Sequence, residues 1–288
     1  MIFVKIYGGL GNQLFQYAAA RSLAYSRGDE VVIDSRWYLV KYRGITSRDY
    51  ILPQFSISSR KAKGLEIGMT FLHSLRFSSL LSIPWLGVRH FKEKNFDFDP
   101  DFFTIKGKVY IDGYWQSYRY FEQIRDILLD EITPVNVFDV TYDSVYKEIL
   151  SSNSVSVHIR RGDYVSNKAA ANFHGLCPES YYINAIEKIN SLVNNAFFYI
   201  FTDDVDWVSS NMKLPDTHCF VSKKDYSNPV FELFLMSNCK HNIIANSSFS
   251  WWGAWLNKHP EKNVIAPVNW FKSGQETLDL IPSEWIRM

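Results

Sequence analysis

The chain has 288 residues, 47% of them hydrophobic, and a formal net charge of +1 at pH 7. That length and apolar content support a sizeable core in one large or two ordinary domains, and they exclude a disordered chain. The balanced charge excludes a global field that would draw the protein to nucleic acid. Three scattered cysteines, none in a C-x-x-C pair, argue against a disulfide framework and suit a reducing compartment.

The chain opens as a β-α-β unit. Residues 2–7 (IFVKIY) read as a strand, "GGLGNQ" at 8–13 breaks it, residues 14–26 have helical spacing closed by Gly28, and "EVVID" at 30–34 is a second strand. The glycines do not form G-x-G-x-x-G, so a dinucleotide fingerprint is weak. Asn12 and Gln13 at the helix start can hydrogen-bond sugar hydroxyls. The opening apolar run is too short for a signal peptide, and no later stretch reaches the roughly 18 apolar residues of a membrane span. A soluble, cytoplasmic protein without a transmembrane segment is expected.

The stretch "RFSSLLSIPWLGVRHF" (76–91) reads as a buried helix and loop, with a membrane-surface segment as the alternative. "VYIDGYW" (109–115) is a strand, followed by a helix over 118–130. Tyr114, Trp115 and Gln116 at its end offer ring faces with an amide, which suit a sugar as well as they suit a core. Residues 133–140 look like a connection. From 155 onward strands (155–159, 197–202, 218–222, 242–245, 263–267) alternate with helices (178–194, 204–211, 229–240, 248–258). This is the pattern of a doubly wound α/β domain, which binds ligands at the carboxyl ends of its strands. The whole predicts two facing Rossmann-like domains with the active site in the cleft, an N-terminal one over 1–150 and a C-terminal one over 151–288.

Chemistry concentrates at predicted strand ends. In "VSVHIRRGDY" (155–164) a strand runs into His158, Arg160, Arg161, Gly162 and Asp163. Paired arginines there suit a phosphate or diphosphate, because guanidinium grips such oxygens through a two-pronged fork; a surface ion pair is the plain alternative. "FTDDVDW" (201–207) contains Asp204-x-Asp206, which matches the D-x-D spacing of metal-dependent nucleotide-sugar transferases. A helix cap by Thr202 or Asp203 explains it more simply, and Asp203 could orient an arginine. In "NIIANSSFSWWGAW" small hydroxyls open a helix, where backbone N–H groups make an anion site, and the tryptophans pack it in place. Glu232 could accept from the N–H groups of a guanine edge.

Taken together, "GGLGNQLFQYA", "GYWQSYRYF", "HIRRGDY", "FTDD" and "CKHNIIANSSFSWWGAWL" resemble the bacterial α-1,2-fucosyltransferases of glycosyltransferase family 11. The resemblance implies a GT-B-type fold, GDP-fucose as donor, a galactoside acceptor, and inversion without a metal or other cofactor. It implies that Arg160 holds the β-phosphate with Arg161 in support. His158 and Glu232 become candidates for guanine, although related α-1,6-fucosyltransferases carry Asp where Glu232 aligns. Ser247, Ser248 and Phe249 would meet the donor, with Asp203 beside them. Asn12, Gln13, Tyr114, Trp115 and Gln116 would face the acceptor. Asp163, His174 and Glu179 are candidates for the general base, with Asp163 preferred. A galactose-terminated oligosaccharide and a lipid-linked glycan of O-antigen synthesis both fit as acceptor, and the latter would bring the enzyme to the inner membrane face as a peripheral protein. A metal-dependent transferase using Asp204 and Asp206, and a non-catalytic glycan- or nucleotide-binding protein, are the competing readings.

Overall fold

A computed structural model describes residues 1–41, 46–74, 87–136, 140–162, 175–223, 228–274 and 279–288. In chain order the elements are β1 (Ile2–Lys5), α1 (Leu10–Arg27), β2 (Val31–Asp34), β3 (Arg60–Lys61), α2 (Leu65–Ser74), β4 (Val88–Lys92), β5 (Lys108–Asp112), α3 (Arg125–Glu131), α4 (Val140–Ser151), β6 (Asn153–Ile159), α5 (Glu179–Leu192), β7 (Ala196–Thr202), α6 (Val205–Asn211), β8 (His218–Phe220), α7 (Pro229–Asn238), β9 (His241–Ile243), α8 (Ser248–Trp255), β10 (Val264–Ala266) and β11 (Ile286–Arg287). Short 3-10 turns replace the first part of the helix expected over 118–130.

The chain divides into two compact units, Met1–Thr133 with Thr277–Ile281, and Pro134–Glu276 with Pro282–Met288. Helix α4 therefore belongs to the second unit, whereas a boundary at residue 150 assigns it to the first. Each unit is built on a parallel sheet, as the GT-B-type, Rossmann-like reading expects.

In the first unit the strand order is β3-β2-β1-β5-β4. Its central strands are continuous apolar runs because parallel strands are covered on both faces; Ile2, Phe3, Val4, Val109, Tyr110 and Ile111 are wholly buried. Helix α1 follows β1 and ends at Gly28, whose φ of 63° lets its N–H reach back to the carbonyls of Ala24 and Tyr25. Strand β4 lies at the end of the stretch expected to form a helix and loop. The rest of that stretch, through residue 86, is outside the described residues.

In the second unit the order is β11-β10-β9-β6-β7-β8. The chain winds one way through β6, β7 and β8, then jumps to β9 and winds the other way. That reversal between β6 and β9 is the topological switch point, where such sheets bind ligands. One face carries α5, whose Tyr181, Tyr182, Ala185 and Ile189 pack on Val155, Val157, Ile243 and Ile265. Elsewhere in the unit, α8 lies so close to α7 that a Cβ at Gly253 would come within 2.9 Å of Met236 Cβ. The fully buried Trp251 and Trp252 meet edge to face with centroids 5.3 Å apart, and Trp251 stacks on Trp255 at 6.0 Å. Removing either buried indole would cost about 3–5 kcal/mol, so the rings anchor the helix whose start carries the serines.

Candidate active site

The switch point of the second unit brings three loops side by side, after β9, β6 and β7. Strand β6 ends with His158 buried at 4% exposure. Its ring meets Phe249 edge-on at 5.6 Å, and its Nδ1 has no hydrogen-bond partner among the described residues. Burial first, then the Arg160 charge, pushes the imidazole well below its ordinary pKa, so it is neutral at pH 7. A neutral ring with an uncommitted nitrogen can pair with the polar edge of a base.

Arg160 is held by Asp203 across the sheet, Nη1 to Oδ2 at 2.7 Å. The other Asp203 oxygen accepts from the backbone N–H of Arg161 at 2.8 Å and of Gly162 at 3.0 Å. Burial alone would raise this carboxyl; the Arg160 charge and the two amides outweigh burial and hold it below its ordinary value. Gly162 is needed here, since a Cβ would lie 2.5 Å from Asp203 Oδ2. Asp203 thus both aims Arg160 and shapes the turn after it.

Arg161 turns away from this pair. Its guanidinium carbon lies 3.2 Å from the centre of the Trp207 ring, and its Nε donates to Asp204 Oδ2 at 3.3 Å. Asp204 is also the N-cap of α6, accepting from Trp207 N at 3.3 Å. The cap is therefore Asp204, one residue beyond the expected Asp203, while Thr202 Oγ1 accepts from Asp204 N at 3.1 Å. These contacts make Arg161 a support of the loop and commit Asp204 to cap and ion pair. Among the described residues no three His, Cys, Asp or Glu side chains are grouped to hold a metal ion.

After β9 the chain turns at Asn246 into α8. Asn246 is buried and pins this turn, its Nδ2 donating to the carbonyls of Gly175 and Trp270, each at 3.2 Å. Ser247 is the N-cap by backbone position, with no capping bond from its side chain, and Ser248 and Phe249 follow half-buried. The hydroxyls and the helix-start N–H groups suit an anion. Glu232 is buried in the first turn of α7, where the helix dipole favours a carboxylate.

The first unit places the other candidates at the carboxyl ends of β1 and β5. Asn12 Oδ1 accepts from Gln116 Nε2 at 2.9 Å, tying the two loops together. Gln13 and Trp115 are wholly buried, which corrects the expectation that they touch a sugar. Gln13 donates to the carbonyls of Gly8 at 3.1 Å and Asp49 at 2.7 Å and accepts from Ile51 N at 3.0 Å. Trp115 packs among Phe91, Phe102 and Tyr120. Tyr114 keeps a partly exposed ring. Of the base candidates, Asp163 and His174 lie outside the described residues, and Glu179 is exposed at the start of α5, accepting from Lys213 N at 3.3 Å. Asn246 escaped notice in the sequence because a turn asparagine is commonplace.

The family profile described as glycosyl transferase family 11 matches residues 1–288. An alpha-1,2-colitosyltransferase of Escherichia coli is 32% identical over 100% of this chain and 99% of its own. The O-antigen biosynthesis glycosyltransferase WbnK of Escherichia coli is 31% identical over 98% of each. The crystal structure of the fucosyltransferase NodZ from Bradyrhizobium shares the fold, with a TM-score of 0.54 at 15% identity over 88% of this chain and 91% of that one. Among the described residues no helix is long and apolar enough to cross a membrane. A full-length family match, full-length relatives and a doubly wound sheet with its charged switch point all agree: the chain belongs to glycosyl transferase family 11.

Proposed function

We propose that this protein transfers L-fucose from GDP-fucose to the 2-hydroxyl of a β-galactoside, with inversion and without a metal, in the synthesis of an O-antigen or another surface glycan. The observation that carries the reading is Arg160, fixed by Asp203 at the switch point of the second unit. One relative is an O-antigen biosynthesis glycosyltransferase, and several more distant ones are galactoside 2-alpha-L-fucosyltransferases, for example that of Mus musculus.

The chemistry follows from charge. The bond between fucose C1 and the β-phosphate oxygen breaks, and its electron pair leaves with GDP. The galactose 2-oxygen attacks C1 from the opposite face and gives its proton to a base, for which Asp163 and His174 are the candidates. Negative charge grows on the β-phosphate, so a guanidinium already fixed in place favours the transition state over the ground state. The N–H groups at the start of α8, with Ser247 and Ser248, would share that charge. Neutral His158, Glu232 and Phe249 would enclose the base, and Arg161 would support the loop.

A second donor is favoured by one finding, the alpha-1,2-colitosyltransferase relative at 32% identity. GDP release should therefore be measured with GDP-fucose and GDP-colitose, with lactose present and absent, with and without excess EDTA, for wild type and Arg160→Ala. Lactose-dependent release from GDP-fucose that survives EDTA and disappears in the variant is the expected result. Release from GDP-colitose alone would move the donor. Release that EDTA abolishes would favour the metal-dependent reading, and GDP binding with no turnover would favour a binding protein.

A further inference from the structure

The first unit contains a turn held by a half-buried acid that the reading above does not use. Glu93 follows β4 and reaches across to the turn after β5. Its two oxygens accept from the backbone N–H groups of Tyr114 at 2.6 Å and Trp115 at 2.8 Å. It fills the space over Gly113, where a Cβ would come within 2.4 Å of Glu93 Cβ. The turn it holds is costly. Trp115 has φ 57°, rare for a bulky residue, and its buried Nε1 has no hydrogen-bond partner among the described residues. Strain of this kind persists where the surroundings over-determine it, and it gathers at functional sites.

The turn presents the Tyr114 ring. It lies 4.9 Å from the ring of Tyr7, just after β1, and Tyr7 lies 6.4 Å from Trp37, just after β2. All three rings are partly exposed. They line the carboxyl ends of neighbouring strands, β2, β1 and β5. The rings are tilted by 48° and 57° to their neighbours, and the cation over Tyr7, Lys5 at 5.4 Å from the ring centroid, is paired with Asp112; such a surface suits the apolar face of a pyranose better than it suits a phosphate.

We propose that Tyr7, Trp37 and Tyr114 form the platform on which the acceptor pyranose packs, and that Glu93 is its positioning residue, fixing the turn that carries Tyr114. The proposal rests on the galactoside reading above. Burial first, opposed by the two amides and aided by Asp112, raises the Glu93 carboxyl to about 7. The groups facing it are Asp112 of β5, Tyr7 after β1, and Tyr114 and Tyr120 beyond β5. Asp112 is itself held by Lys5 at 3.0 Å, with His90 at 3.9 Å. Protonation removes one of the two acceptors, so the grip on the turn weakens as pH falls through this value.

The test is steady-state kinetics with lactose on wild type, Glu93→Gln and Tyr114→Ala across pH 6–8. For Tyr114→Ala the lactose KM should rise about tenfold, the size of a lost ring contact, while the GDP-fucose KM holds. In wild type the lactose KM should rise as pH falls through about 7; in Glu93→Gln it should be raised throughout and flat with pH. A lactose KM unchanged in both variants, or a donor KM rising in step, overturns the proposal. Should Glu93→Gln not fold, Tyr114→Ala decides alone. Should wild type transfer to no galactoside, the functional reading fails first. Saturation-transfer NMR with methyl β-galactoside then decides the platform: a signal that Tyr114→Ala weakens supports it, and an absent or unweakened signal overturns it.

Discussion

At the carboxyl ends of its strands the second unit carries Arg160, Arg161, Asp203 and Asp204, linked in two ion pairs at 2.7 and 3.3 Å. The same edge of the first unit carries Tyr7, Trp37 and Tyr114, with Lys5, Glu93 and Asp112 among and beneath them. The sheets differ in winding as well. The second reverses its strand order between β6 and β9, and the first runs β4-β5-β1-β2-β3 in one direction with a single break. One architecture thus makes two surfaces. The surface of the second unit holds a fixed cation whose counter-ion is a neighbouring strand's carboxylate, which suits the diphosphate proposed for it. The surface of the first unit holds rings, one of them set by backbone bonds to Glu93, which suits the neutral sugar proposed for it.

The sharpest way to break this contrast is at Arg160. Arg160→Ala should lower kcat/KM for the donor by about 10²–10³-fold, the cost of losing one preorganised donor to developing charge, and should also lower the melting temperature, because Asp203 loses the charge that offsets its burial. A smaller loss would mean that the α8 start carries the phosphate alone. Gly162→Ala reaches the same cation indirectly. The added Cβ, 2.5 Å from Asp203 Oδ2, must displace the carboxylate that aims Arg160. An effect of about ten- to a hundredfold on kcat is expected, the price of misplacing a catalytic group, and normal kinetics would show that Asp203 does not aim Arg160.

In the first unit, Gln13→Ala should act on stability. It removes the bonds of the buried amide to the carbonyls of Gly8 and Asp49 and from the Ile51 amide, although Gly8 keeps the Tyr38 hydroxyl, and about 1–3 kcal/mol should be lost in denaturant melts. A raised acceptor KM at unchanged stability would return Gln13 to the sugar site. Asp204→Ala should cost about 1 kcal/mol as a lost helix cap and leave activity in EDTA intact; a variant newly dead would revive the D-x-D reading.

The smallest effect is one of pH. His158 has a folded pKa below its ordinary 6.5, so the unfolded chain takes up its proton first. The stability this group contributes is present above that value and is lost as pH falls below it. Asp203, depressed below 3.8, adds a loss of the same sign at lower pH. The melting temperature of His158→Gln should therefore fall less than that of wild type between pH 7 and 5. Parallel curves would mean that the imidazole charges in both states alike.

Much of this arrangement was legible in the sequence, for identifiable reasons. Central strands such as the one through Phe198–Phe201 are covered on both faces, so they read as unbroken apolar runs, and the charges that follow mark the strand end. Strand β4 was hidden because only Val88 of its five residues is buried, and its apolar neighbours drew it into the expected helix. The two-residue edge strands β3 and β11 have too little length to leave a pattern. Gln13 and Trp115 misled because a residue type advertises what it can bind, not what already binds it. Two of the three partners of Gln13 lie 36 and 38 residues away. Glu93 was invisible for the same reason, since its amides lie 21 and 22 residues on.

The central claim is that the switch point of the second unit holds GDP through Arg160 without a metal. Calorimetric titration of GDP into wild type and Arg160→Ala, both in EDTA, tests it most directly. Binding by wild type that weakens at least about tenfold in the variant, or about 1.4 kcal/mol, is the predicted result. Equal affinity in the two proteins, or binding that appears only when a divalent cation is restored, would contradict it.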